Sequence, residues 1–128
     1  MSNWFFACAA DELEADKPKG VKIEGVPIVM VRKPDGVFAV FGICSHSYIF
    51  LMKGYVDGHT IECPIHEGVF DLKSGKCLAA PPKRDLDAYE VREVDGRIEI
   101  SLDDDQISRG IYYANPRRLM EERPGAPS

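Results

Sequence analysis

Short apolar or alternating segments recur between residues 4 and 102, and turn-forming residues separate them. The segments are rich in β-branched and aromatic residues, which favour strands, and the gaps between them carry Pro-Asp-Gly, Asp-Gly or Ser-Gly, which favour turns. Many short strands with frequent turns predict an all-β, antiparallel sandwich or barrel. The predicted strands cover residues 4–8, 21–23, 27–32, 37–41, 55–56, 60–62, 69–72, 89–93 and 97–101.

The pattern changes after Leu102. The acidic run 103–105 predicts a solvated loop, and Asn115 followed by Pro116 predicts the N-cap and first position of a short helix over residues 117–123. The sequence therefore predicts a β domain over residues 1–102 and a tail over residues 103–128 that contains one short helix.

Composition narrows the class of protein. The chain has 128 residues, 45% of them hydrophobic and 29% charged, which suits one globular domain. A formal net charge of −5 argues against a nucleic-acid binder, which needs a cationic face. No apolar run reaches the ~20 residues that span a bilayer, and the apolar run 4–10 lacks the basic start of a secretory signal. These features predict a soluble, cytoplasmic protein.

The four cysteines divide into two kinds. In a reducing compartment, cysteines are more often core residues, metal ligands or reactive thiols than members of disulfides. Cys8 and Cys77 have no histidine or cysteine at ligand spacing, so we expect them to fill the core. His59 follows an Asp-Gly turn and matches no ligand position, so we expect an exposed hairpin residue.

The other two cysteines each lie close to a histidine, as Cys44-x-His46 and Cys63-x2-His66. Each pair follows a predicted strand, so both pairs sit at the starts of loops from adjacent hairpins. Two thiolates and two imidazoles can form a four-ligand metal site. Zinc is one option, but its local motifs usually pair like ligands. Mixed loops fit a two-iron cluster better, because one iron can take both cysteines and the other both histidines.

These two motifs, with sixteen residues between them, resemble the signature of Rieske 2Fe-2S proteins. Over residues 4–102 the chain resembles the small ferredoxins of bacterial aromatic-ring-hydroxylating dioxygenase systems. The similarity also includes residues 8–13, 55–64 and 70–76, and Ala80-Pro81-Pro82 resembles the proline loop that covers the cluster. The resemblance implies a Rieske-type antiparallel β-sandwich with a small cluster-binding subdomain of two hairpin loops over about residues 43–82.

The resemblance also implies the role of each ligand. Cys44 and Cys63 would hold the buried iron, and His46 and His66 would hold the outer iron and give the electron its exit near the surface. Two ferric ions, two sulfides and two thiolates sum to zero charge, whereas four thiolates would leave a dianion. Adding an electron to the neutral centre is easier, so histidine ligation raises the reduction potential.

Within the Rieske range, the neighbouring residues indicate a low potential. High-potential Rieske proteins have two further cysteines that bridge the loops, where this chain has Ile49 and Ile65. They also place Ser and Tyr hydroxyls against the cluster sulfurs, where this chain has Gly68 and Phe70. Fewer donors leave the added electron less stabilised, which predicts a potential near ~−150 mV.

The function that the resemblance implies is electron transfer rather than catalysis. The carrier would take single electrons from an NAD(P)H-dependent flavoprotein reductase and pass them to a terminal Rieske non-haem iron oxygenase. The chain is too short to be that oxygenase, and only His59 remains for a facial triad. A small subunit of an assimilatory nitrite reductase and a zinc-stabilised binding module are the alternatives.

The apolar run Ile49 to Met52 is either core or a docking patch beside His46.

Overall fold

The computed structural model describes residues 2–45, 49–65, 68–79 and 84–115. Within these ranges the chain forms β-strands joined in antiparallel pairs and one α-helix, as the sequence predicts for an all-β protein with a short C-terminal helix. The strands are β1 Ser2–Ala9, β2 Lys19–Ile23, β3 Val26–Lys33, β4 Gly36–Phe41, β5 Tyr55–Asp57, β6 Thr60–Glu62, β7 Val69–Asp71, β8 Ala88–Tyr89, β9 Val91–Val94 and β10 Arg97–Asp103. The helix is α1 Asp104–Tyr113.

The strands form three sheets. Two larger sheets have the orders β1-β10-β9 and β2-β3-β4-β8, and a third has the order β5-β6-β7. We call the two larger sheets together the base, and the third sheet the small sheet. The base brings the two ends of the chain's β region together, because β1 pairs with β10 along most of its length.

The core of the base lies between its two sheets. In β10 the apolar side chains Ile98, Ile100 and Leu102 alternate with more exposed positions and are fully or almost fully buried. In β3, by contrast, every residue from Val26 to Val31 is buried. A continuous apolar run is typical of a strand covered on both faces, and α1 and the short 3-10 turn Leu51–Lys53 both contact β3.

Hairpin turns fix the register of the base. Asp95 and Gly96 join β9 to β10 with φ angles of 51° and 74°, the left-handed backbone of a two-residue turn that matches strand twist. The predicted strand 89–93 is wrong as one element. The chain crosses between sheets at Glu90, so that β8 pairs with β4 and β9 pairs with β10. Alternation of polar and apolar residues continues through this crossing, so the pattern alone cannot reveal it.

The prediction of a solvated loop at residues 103–105 is also wrong, because α1 begins there. The Asp103 carboxylate accepts a hydrogen bond from the Gln106 N–H at 2.7 Å, and the Gln106 side chain accepts one from the Asp103 N–H at 2.9 Å. This reciprocal capping box starts the helix. The carboxylates of Asp104 and Asp105 in the first turn interact favourably with the positive end of the helix dipole. The predicted helix 117–123 lies outside the described residues. Within the described ranges, no helix combines the length and apolarity needed to cross a bilayer.

Candidate metal centre

Two loops of matching size carry the predicted cysteine ligands. Cys44 lies shortly after β4, and its backbone N–H donates to the Ile49 carbonyl at 3.0 Å. Cys63 follows β6 directly, and its N–H donates to the Gly68 carbonyl at 2.7 Å. Each hydrogen bond joins a cysteine to the fifth residue after it, so residues 44–49 form a first ligand loop and residues 63–68 a second. His46 and His66 belong to these loops in sequence and lie outside the described residues.

Both cysteines are buried where their loops leave the strands. Cys44 is 1% exposed and Cys63 is 0% exposed. The small sheet fixes the position of the start of the second loop, because β6, which leads into it, is paired with both β5 and β7. Gly54, just before β5, allows this pairing, because a Cβ there would lie 2.1 Å from the Glu62 carbonyl oxygen. The thiols are therefore withdrawn from water on backbone that the strands hold in place.

A third segment, residues 84–87, packs beside the first ligand loop. The Ser45 hydroxyl donates to the Arg84 carbonyl at 2.7 Å. The Cys77 N–H donates to the Asp85 carboxylate at 2.8 Å, and the Leu86 N–H donates to the Gly75 carbonyl at 2.8 Å. The predicted proline loop, residues 80–82, lies outside the described residues, but its two flanks are thus joined to each other and to the first ligand loop.

The donor set fits a group with two thiolate ligands on its buried side. In the described part of the chain, no three His, Cys, Asp or Glu side chains come together as a metal site. Of the four predicted ligands, Cys44 and Cys63 lie within the described residues, and His46 and His66 lie outside them.

The apolar segment Ile49 to Met52 is predicted to be either core or a docking patch, and the structure shows both buried and exposed residues in it. Leu51 is fully buried and belongs to the core, whereas Phe50 and Met52 are each 40% exposed. Phe50 and Met52 line a groove of about 310 Å³ together with residues of β2 and β3 and with Ala114. The segment is thus core on one side and apolar surface on the other.

The remaining cysteines and the third histidine lie outside the two ligand loops and contact other parts of the fold. Cys8 and Cys77 are buried in the core, as the sequence predicts, and burial raises the pKa of the Cys8 thiol. His59 lies in the turn between β5 and β6 but is half-buried. Its Nε2 lies 2.8 Å from the Asp35 carboxylate, and its ring lies nearly perpendicular to the Phe38 ring, with the centroids 5.4 Å apart. Sequence reasoning missed this contact between the small sheet and the base.

The contact with His59 affects Asp35. The hydrogen bond from His59 is the main reason that the pKa of the Asp35 carboxyl lies below its ordinary value, and Lys73, whose Nζ is 3.4 Å from that carboxylate, acts in the same direction. No signal in the sequence links residues 35 and 59, because they meet only when the small sheet packs on the base.

Two cysteine-led loops of equal span, one after β4 of the base and one after β6 of the small sheet, give this antiparallel β protein the architecture of a small metal-binding domain. Residues 3–90 match the model of one family, the Rieske [2Fe-2S] domain. The chain belongs to this family, and its cofactor is a Rieske-type 2Fe-2S cluster.

Relatives of known function agree with the family. The chain is 33% identical over 102 residues to the anthranilate 1,2-dioxygenase ferredoxin subunit of Burkholderia cepacia, covering 80% of this chain and 94% of that protein. It is 36% identical over 103 residues to the 3-phenylpropionate/cinnamic acid dioxygenase ferredoxin subunit of Photorhabdus laumondii, covering 79% and 96%.

Solved structures give the same fold. The ferredoxin of carbazole 1,9a-dioxygenase from Nocardioides aromaticivorans superposes with a TM-score of 0.72 at 29% identity, covering 77% of this chain and 96% of that one. The ferredoxin found in a complex with the carbazole 1,9a-dioxygenase oxygenase has a TM-score of 0.69 at 30% identity, covering 76% and 91%. A protein described as the small subunit of an NADH-dependent nitrite reductase from Mycobacterium tuberculosis has a TM-score of 0.72 at 28% identity, covering 80% and 97%.

Proposed function

We propose that this protein is an electron-transfer ferredoxin, not itself a catalyst, of an aromatic-ring dioxygenase system. It takes single electrons from an NAD(P)H-dependent flavoprotein reductase and delivers them to a terminal Rieske non-haem iron oxygenase. The observation that carries the proposal is the pair of buried cysteines on loops of equal span, in a chain whose relatives are ferredoxin subunits of dioxygenases. A solved structure shows a similar ferredoxin in a complex with the oxygenase of carbazole 1,9a-dioxygenase.

In this proposal the ligands are Cys44 and Cys63 on the inner iron and His46 and His66 on the outer iron. When bound, the cluster accepts and releases one electron at a time. The protein's own contribution is to bury the two thiolates, to close each loop through a cysteine N–H, and to keep residues 84–87 beside the first ligand loop. Burial on one side leaves the histidine side of the loops as the route for the electron.

The same proposal divides the chain into a Rieske domain over residues 1–102, with the cluster-binding part at about residues 43–82, and a tail over residues 103–128. It also places the protein in the cytoplasm. A reducing compartment suits Cys8 and Cys77, which are buried outside any disulfide, and it is where a reductase using NAD(P)H operates.

A nitrite reductase small subunit is the second candidate, favoured by the structural similarity to such a subunit. The presence of all four residues of the Rieske ligand motifs in this sequence, two cysteines and two histidines, argues for the ferredoxin. The zinc-stabilised binding module that the sequence left open is disfavoured, because the chain belongs to a [2Fe-2S] family.

Metal and sulfide analysis of the purified protein separates these candidates. We expect two iron atoms and two acid-labile sulfides per chain, as a 2Fe-2S cluster requires, and reduction by a dioxygenase-system flavoprotein reductase in the presence of NADH. The reduced protein should then support turnover by a ring-hydroxylating oxygenase. One zinc ion without sulfide contradicts the ferredoxin and supports the binding module, whereas a cluster that reacts only with a nitrite reductase supports the second candidate.

The partners are expected to dock at the ligand-loop end, with Phe50 and Met52 in the contact. Electron transfer requires a close approach to the outer iron, and transient redox interfaces are typically small, less than ~1,200 Å². Phe50→Ser should therefore slow transfer to the oxygenase severalfold while leaving potential and cluster content unchanged. Val94→Ser, at an exposed apolar position of β9 in the base, is the matched control. An unchanged transfer rate in a stable Phe50→Ser protein removes this segment from the docking site.

A further inference from the structure

Helix α1 lies outside the part of the chain that matches the family, which ends at residue 90, whereas α1 begins at Asp104. The helix is nevertheless packed tightly on the base. A Cβ at Gly110 would lie 2.5 Å from a methyl group of Val26 in β3, so the helix backbone approaches this strand as closely as only glycine allows. One side of α1 is therefore anchored on a rigid strand.

Another side of α1 contacts residues 84–87. The guanidinium carbon of Arg84 lies 3.5 Å from the centroid of the Tyr113 ring, a cation–π stack. Arg109, one helical turn earlier, places its Nε 3.0 Å from the Asp87 carboxylate. Two contacts of different chemistry thus join the same face of α1 to this segment.

Residues 84–87 in turn contact the first ligand loop. Arg84 stacks its side chain on Tyr113 and accepts, through its carbonyl, the hydrogen bond from Ser45. Ser45 is the residue next to Cys44. An unbroken series of contacts therefore runs from β3 through α1 and Arg84 to the residue that follows a buried cysteine.

We propose that α1 is a clamp that holds residues 84–87 against the first ligand loop, and that Tyr113, Arg84 and Ser45 are positioning residues for the cluster. The inference rests on the proposed ligation by Cys44. The clamp limits the access of water to the cluster from the side of residues 84–87. The reduced cluster has one more negative charge than the oxidised cluster, so water stabilises it more. Loosening the clamp should therefore raise the reduction potential and speed the loss of iron.

The test replaces the aromatic ring of Tyr113. Tyr113→Leu removes the surface on which Arg84 stacks, whereas Tyr113→Phe keeps the ring. Phe6→Leu is the matched control, because Arg97 stacks on Phe6 in the same way, at 4.6 Å, on the β1–β10 pair of the base. For each holoprotein, voltammetry gives the midpoint potential, a chelator gives the rate of iron loss, and thermal unfolding gives Tm.

We expect Tyr113→Leu to raise the midpoint potential and to lose iron severalfold faster, with Tyr113→Phe close to wild type. Phe6→Leu should lower Tm without moving the potential. A potential that is unchanged or lowered in Tyr113→Leu overturns the clamp, and so does an equal rise in Phe6→Leu.

Ser45→Ala keeps the inference testable if Tyr113→Leu does not fold. It removes only the hydroxyl at the loop end of the series, and it should shift the potential in the same direction as Tyr113→Leu. In the double variant the two shifts should be less than additive, because both break one series of contacts. A wild-type protein without iron and sulfide would overturn the proposed function, whereas a wild-type cluster that is insensitive to these variants overturns only the clamp.

Discussion

The base and the small sheet are stabilised in different ways. The strands of the base include β1 and β3, each eight residues long, and among the described residues most of the buried apolar side chains lie on strands of the base. The small sheet has three strands of three residues each. Sheets this short are marginal by themselves, so we expect the base to fold on its apolar core and the small sheet to depend on the metal that the two ligand loops are predicted to hold.

Removal of a predicted ligand should have the largest effect, and it should fall on the small sheet. Cys63→Ser should leave iron and sulfide near background, and amides of β5–β7 should lose protection from hydrogen exchange while those of β3 keep most of theirs. The double replacement Cys8→Ala/Cys77→Ala is the control, since both thiols are buried core residues, and it should retain the cluster at some cost in stability. Normal iron and sulfide in Cys63→Ser would refute the ligand assignment.

A cavity in the base should be the next largest effect and should act differently. Ile98 is fully buried in β10, so Ile98→Ala should cost about 2–5 kcal/mol of unfolding free energy, and Ile98→Val about 0.5–1.5 kcal/mol. Urea unfolding should show both regions lost together, with a normal iron content in the folded fraction. If Ile98→Ala released iron from a fully folded base, retention of the metal would depend on the packing of the base and not on the small sheet.

A change beside the cluster should alter redox properties more than stability. Phe70 is fully buried in β7, and Phe70→Tyr should raise the midpoint potential from about −150 mV, because a hydroxyl donor to a cluster sulfur stabilises the reduced state. Phe5→Tyr, at a partly buried position of β1 in the base, adds the same hydroxyl away from the small sheet and should leave the potential unchanged. A wild-type midpoint above zero, measured by protein-film voltammetry, would contradict the low-potential argument.

The smallest effect should come from the link between the two regions, Asp35 and His59. The pKa of Asp35 is lower in the folded protein than its ordinary value of 3.8. The contribution of this carboxylate to stability is therefore present above that value and is lost as pH falls through the lower, folded pKa. Asp35→Asn should slightly weaken hydrogen-exchange protection of β5 and β6 at pH 6, and the difference from wild type should vanish at acid pH.

Glu14→Gln is the control for that link. Glu14 pairs with Lys17, which also lowers the pKa of its carboxyl, but both residues lie outside the small sheet. This substitution should leave β5 and β6 unchanged at every pH. Equal effects of the two substitutions would mean that Asp35 does not join the regions.

Elements that local pattern determines could be predicted from the sequence. The alternation of Arg97 to Ser101 and the Asp95-Gly96 turn predict a hairpin that the structure contains. The start of α1 had a local signal too, Asp103 followed three residues later by Gln106, but the run of acidic residues concealed it.

Other features depend on tertiary contacts that no local pattern contains. The crossing at Glu90 and the contact of His59 with Asp35 are of this kind. At the candidate site, the sequence predicted loops that begin with Cys44 and Cys63, and both are buried at the starts of such loops. The closure of the two loops over equal spans could not be predicted, because their cysteine–histidine spacings differ. The assignment of His46 and His66 stays a prediction.

The close packing of Gly110 on Val26 has a consequence for protein engineering. Val26 is fully buried at the start of an all-apolar strand, and the helix that covers it is the last described element of the chain. A form shortened to residue 103, to imitate a ferredoxin of minimal length, would expose the apolar end of β3 to solvent. We expect such a form to aggregate at high concentration, and a polar substitution at position 26 to restore its solubility.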